Sequence, residues 1–269
     1  MSNPADDMDM DIEHALAKVD DDGAQVLSKL ESEVGEPGFD GAFHEPDENE
    51  LLILLHYACI MYLRSPFFRR LLVNLASSQA TLDMRLKAHS FRNSEEFKKE
   101  SERIGLELSD AEAAELLAFM KSPDFRMDAD DPDWFLLQSF SGEEEILRLL
   151  TERAWTLWVA EKDKEYFATS DCPVALLWKR AHSVGVRPGF ADRNTHVFFP
   201  LTKRLLLYGS CEDEGGLIEA SRTQVAVANH VVVSTSDRFV YSPYKSFLEQ
   251  DGQTERASPG SEYARERMW

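Results

Sequence analysis

The texture of the chain changes near Lys164, and that change limits the folds open to it. Upstream, apolar residues recur every three or four positions over long stretches, the spacing of helix faces. Downstream they fall into short runs bounded by turn residues, "YFATS", "VALLW", "HVFFPL" and "RLLLYG", the pattern of strands. Helices first and strands afterwards predict an α+β protein, with a long helical N-terminal portion packed on a small mixed or antiparallel C-terminal sheet. The expected organisation is an acidic tail over 1–10 and a single helix-rich domain over 11–248. Its helical part runs over 11–162 and its sheet-bearing part over 163–248, and a mobile tail over 249–269 follows.

Within the helical part, Ile12, Leu16, Val19, Gly23, Val26 and Leu30 share one side of a helix. Gly23 weakens that helix by about 1 kcal/mol relative to Ala. A buried helix is expected from Glu50 to Arg64. At "RSPFF" a joint follows, with Ser65 as cap and Pro66 at the first helical position. Further helices are expected through "RRLLVNLASSQATLDMRLKAHSF" and "NSEEFKKESERIG". "SDAEAAELLAFMK" pairs Ser109 with Glu112 as a capping box, and "DADDPDW" breaks the chain. Ser141 and Glu144 repeat the box before a helix reading through "EEEILRLLTERAWTLWVAE". "QVAVANHVVVSTSDRFVYSP" is ambiguous: its valines favour strand, whereas Val225, Ala228, Asn229, Val232 and Ser236 would share a helix side. "RFVYS" reads as the final strand, and the segment from Glu249 has the composition of a mobile tail.

Charge narrows the function. The net charge is −20, and residues 1–50 hold sixteen of the 49 acids but only two of the 29 basic residues. Loose binding to nucleic acid, which depends on clustered Lys and Arg, is disfavoured. Cys59, Cys172 and Cys211 are odd in number and widely spaced, which fits neither a disulfide framework nor a zinc site and favours a reducing, cytoplasmic setting. The start has no signal-peptide pattern, and "LLILLHYACIMYL" is too short to span a bilayer. No P-loop, GxGxxG, HExxH or GxSxG motif occurs. No cofactor and no partner is identified by any motif; a protein partner is compatible with the helical layer.

"YFATSDCPV", "HVFFPLTKRLLLYG" and "ANHVVVSTSDRFVYSP", in that order behind long helices, resemble the C-terminal half of domain of unknown function 4238. "YLRSPFFR" is similar to an Arg-x-Pro helix element of that family, and "IEHALAKVDDDGAQVLSKL" to its leading helix. The resemblance covers residues 11–245. It implies a helix-rich α+β fold, favours helix for the Val-rich stretch and implies no established activity. The family's usual His-Tyr-x-Pro element has no counterpart here. Either the start is truncated or this is a reduced relative, and if the missing His belongs to an active site the polypeptide is inert.

The candidate site residues follow from position and type. Asp171, at a strand end beside Ser170, is the candidate general base or metal ligand; the alternative is a turn in which both side chains bind backbone and Pro173 sets the exit. Asn229 is the candidate orienting residue, against a plain hydrogen bond to backbone, with His230 satisfied locally. His196 opens a strand. Arg64, with Arg69 and Arg70, is the candidate anion-binding group, against pairing with a nearby acid. The "HEPDE" cluster from His44 to Glu48 lacks metal-ligand spacing. Cys172 has no neighbouring cation to activate it, and the resembled family usually has Asn there. Two functions stay open. One is a binding or regulatory module without catalysis. The other is a metal-assisted hydrolase or nuclease-like enzyme using Asp171, Asn229 and Arg64.

Overall fold

The computed structural model describes residues 4–35, 45–128, 140–161, 165–179, 187–251 and 254–259. The chain divides into two compact units, residues 1–68 with 139–269, and residues 69–138. The span 11–248 expected as one domain contains most of the first and all of the second.

In the first unit, α1 (Pro4–Gly35) and α2 (Glu48–Leu63) pack together on a five-stranded sheet. The strands are β1 (Ala154–Ala160), β3 (Ala175–Trp178), β4 (Thr195–Pro200), β5 (Leu205–Ser210) and β6 (Gly216–Ala220), in the order β3-β4-β5-β1-β6. All neighbours are antiparallel except β1 and β6, so the sheet is mixed. Both faces are covered. Leu157, Val159, Val197, Phe199, Leu205 and Leu207 meet α1 and α2, while Trp158, Phe198 and Leu206 on the opposite face meet the helix Arg222–Thr235. Alternate residues of a strand point to opposite faces, so burial on both sides requires continuous apolar runs such as "RLLLYG".

That double burial overturns one expectation. The helix beginning at Glu143 (α6, Glu143–Thr151) stops at Thr151, and "AWTLWVA" is β1 at the heart of the sheet. Its bulky residues at 155, 157, 158 and 159 mimic a helical surface on sequence spacing, but they divide between two cores. The expected Ser141/Glu144 box also gives way: Gly142 takes the N-cap position and makes no side-chain cap bond. Arg153 fixes the helix-to-strand switch. Its buried guanidinium donates to the carbonyls of Thr195 (2.5 Å), Phe190 (2.6 Å) and Asp192 (3.2 Å). Burial lowers its affinity for a proton relative to an ordinary arginine.

The other helices follow their caps. Asp47 and Glu50 form a capping box on α2, and Ser65 accepts the Phe68 N–H at 3.2 Å to start α3 (Pro66–Ser90). The first unit thus includes the beginning of α3. Gly23 has a packing reason for its place in α1, because a Cβ there would come within 3.0 Å of the Tyr57 ring. The start of α1 at Pro4 lies inside the stretch expected as an acidic tail.

The Val-rich stretch is helix α7 (Arg222–Thr235), opened by a Ser221/Gln224 capping box, as the family resemblance implied. Of "YFATS" only β2 (Thr169–Ser170) is strand, paired with β7 (Val240–Tyr241). β7 is not the last strand: β8 (Ser246–Asp251) and β9 (Thr254–Pro259) form an antiparallel hairpin extending into the segment expected as tail.

The second unit holds the rest of α3 with α4 (Ser94–Arg103) and α5 (Asp110–Lys121). Asn93 caps α4, and the expected Ser109/Glu112 box caps α5. Ala88, Phe97, Ala113, Leu117, Met120 and Phe125 form its core. The break expected at "DADDPDW" lies, beyond Asp128, outside the described residues.

Candidate functional site

The Thr169–Pro173 turn sits where β2 meets β7. Asp171 donates its N–H to the Phe239 carbonyl at 3.1 Å. Its carboxylate accepts three backbone N–H groups: Asp237 at 2.9 Å, Arg238 at 2.7 Å and Phe239 at 3.2 Å. These belong to the link between α7 and β7, so one side chain joins two segments nearly seventy residues apart. Ser170, 5% exposed, accepts the Cys172 N–H at 3.1 Å and closes the turn locally.

Asn229 is 1% exposed on the inner side of α7. Its amide oxygen accepts the Ala168 N–H at 2.8 Å, and its Nδ2 donates to the carbonyls of Tyr166 (3.0 Å) and Leu248 (2.8 Å). Both amide protons and the oxygen are therefore engaged by backbone. Asn229, Ser170 and Asp171 are brought onto one short segment, 166–171, each bound to main chain. Arg64, the C-cap residue of α2, is held by Asp20 of α1, its Nη1 lying 3.1 Å from Oδ2 and 3.3 Å from Oδ1. Arg69 and Arg70 are exposed near the start of α3. Of "HEPDE", Asp47 is the α2 cap and His44 lies outside the described residues.

Three histidines, His56, His196 and His230, have partners that local spacing does not announce. His230 Nδ1 is 2.9 Å from Oε1 of Glu249, a 4% exposed residue of β8. His56 Nε2 is 2.7 Å from Glu143 Oε1. His196 stacks on Tyr208 and shares a hydrogen bond with its hydroxyl. Burial, reinforced by Lys179, lowers the His196 pKa, and burial raises that of Tyr208 to about 12. Cys59 is fully buried, and desolvation pushes its thiol up to about 12, far from a reactive thiolate. Cys172 is 2% exposed. Among the described residues, no three His, Cys, Asp or Glu side chains are grouped as metal ligands.

A concave site lies in the second unit. An open cleft of about 530 Å³ runs along α3, lined by Asn74, Ser77, Ser78, Thr81, Leu82 and Arg85 and, from further along the chain, by Arg126, Met127 and Asp128. The segment after α5 is held there by the Met127 N–H donating to Thr81 Oγ1 at 2.8 Å. Arg85 donates to the carbonyls of Pro123 (2.6 Å) and Phe125 (3.0 Å), and Arg126 donates to the same two at 2.7 and 2.8 Å. Sequence reasoning missed this cleft. Its signal was polar residues at 74, 77, 78, 81 and 85, one helix side without charge alternation.

The model of a protein family described as "Protein of unknown function (DUF4238)" matches residues 1–246. No curated protein and no solved structure matches the chain. Among the described residues, no single helix is long and apolar enough to cross a membrane.

Proposed function

The chain belongs to the DUF4238 family of unknown function, and from that premise we propose that it is a binding or regulatory module that performs no catalysis. The observation that carries this reading is the state of the Asp171 carboxylate, which accepts three main-chain N–H groups. A general base or metal ligand needs a lone pair directed at water or an ion. This carboxylate has three of its roughly four acceptor positions committed to the link between α7 and β7, and Asn229 has both amide protons and its oxygen bound to backbone. The motif residues thus act as fasteners of the fold, and the exposed helical surfaces are left for recognition. A cytoplasmic setting is part of the proposal, supported by three free cysteines, two of them buried.

The test is a turnover assay on purified wild-type protein and Asp171→Asn. Phosphomonoester and phosphodiester substrates are supplied with Mg²⁺ or Mn²⁺. The expected result is no turnover by either. Metal-dependent turnover by the wild type would overturn the reading, and its loss in the variant, assayed below the melting temperature of both proteins, would favour the metal-assisted hydrolase.

A further inference from the structure

The cleft along α3 carries an unusual charge arrangement for so acidic a chain. Arg85 and Arg126 both donate to the Pro123 and Phe125 carbonyls, so two guanidinium groups are fixed side by side. Among the described residues neither has a carboxylate partner, although the sequence holds 49 acids. The recorded bonds use only Nη2 of Arg85 and Nη1 of Arg126. Arg85 Nε is shut off from water, so contact with a ligand falls to Arg85 Nη1 and to Nη2 and Nε of Arg126. Two like charges held together, with N–H groups uncommitted, are poised for an oxyanion, which guanidinium binds through paired donors.

The rest of the lining suits a hydroxylated body. Ser78 and Asn74 offer donors and acceptors, and Thr81 Oγ1, which accepts from Met127, still has its own proton to give. Asp128 lines the same cleft and is ion-paired with neither arginine, so its carboxylate is available to accept from a hydroxyl. Leu82 and Met127 supply apolar surface. A volume of about 530 Å³ lies within the range of small-molecule sites.

We propose that this cleft binds a small phosphorylated, hydroxyl-bearing molecule, its phosphate at Arg85 and Arg126 and its hydroxyls at Ser78, Thr81 and Asp128. The proposal rests on the binding-module reading and names the ligand class for it.

The test is calorimetric titration of the full chain with ribose 5-phosphate, inorganic phosphate and ribose at fixed ionic strength. Saturable binding is expected for ribose 5-phosphate, weaker binding for phosphate and none for ribose. Arg85 is a poor residue to alter because it secures the 123–125 turn. Arg126→Gln is safer, since Arg85 still holds both carbonyls. It should keep the wild-type melting temperature and weaken ribose 5-phosphate at least tenfold, as expected for one lost charge-assisted contact of about 1.4 kcal/mol. No saturation by either phosphate probe up to about 10 mM, or equal affinity in Arg126→Gln, overturns the proposal. Those results leave the non-catalytic reading intact, because that reading fails only through turnover by the purified protein.

Discussion

Replacing Asp171 with Ala removes the acceptor for three backbone N–H groups at once, and its cost follows from their exposure. The Asp237 N–H, at 2.9 Å, is partly buried, whereas those of Arg238 and Phe239 lie where solvent reaches. A hydrogen bond to a charged group contributes roughly 1.5–3 kcal/mol, and an N–H that water can re-occupy loses well under 1 kcal/mol. The expected destabilisation is therefore about 2–4 kcal/mol. For a unit of this size that is a fall in melting temperature of roughly 5–15 °C. Asp171→Asn keeps one acceptor oxygen and should recover about half of the loss. Urea denaturation followed by far-ultraviolet circular dichroism measures both variants, read as a change in midpoint at constant slope. If Asp171→Ala unfolds within about 0.5 kcal/mol of wild type, the carboxylate is no fastener and must serve some other purpose.

Asn229→Ala leaves three backbone groups without their partner in a buried setting and should cost about 3–5 kcal/mol by urea denaturation; Asn229→Asp, which cannot donate, should be no milder. Gly209→Ala places a Cβ within 2.7 Å of the Trp155 ring and should destabilise by about 1–3 kcal/mol, with altered tryptophan fluorescence as a second readout. His196 has its pKa lowered from 6.5 by burial, so as pH falls below that value the unfolded chain binds a proton that the folded protein refuses. Stability must then drop with acidification, and melting curves between about pH 7.5 and pH 5 should show a shallower drop in His196→Gln. A thiol reagent should label Cys211 fast in the native protein and all three cysteines only after denaturation, because Cys59 and Cys172 are buried.

Much of the architecture was legible because local signals agreed with the fold. Ser65 and Ser109 cap helices as their spacing predicted, and Asp47, Asn93 and Ser221, not singled out as caps in the sequence, do the same. The runs around Val197 and Leu206 are strands, buried on both faces. β1 was not legible. A strand following a helix without a turn signal, and apolar on both faces, has no period to separate it from helical continuation. The turn at Asp171 was readable as a turn, since Ser, Asp and Pro have backbone roles there. Its partner was not readable, because the Asp237–Phe239 amides are set by tertiary contact. The same holds for His230 with Glu249 and for Arg85 with Arg126, which meet only through folding. At Arg64 the plainer alternative of pairing with an acid matches the observed contact with Asp20.

The reach of Asn229 to Leu248 has a practical side. The family match ends at residue 246, yet the carbonyl that takes one of the Asn229 amide protons, and the carboxylate facing His230, lie two and three positions further on. A fragment trimmed at the family boundary would strip α7 of both and leave its inner surface open beside Phe167 and Ala168. Such a fragment should express poorly or clump, whereas one carried through the β8–β9 hairpin should stay dispersed.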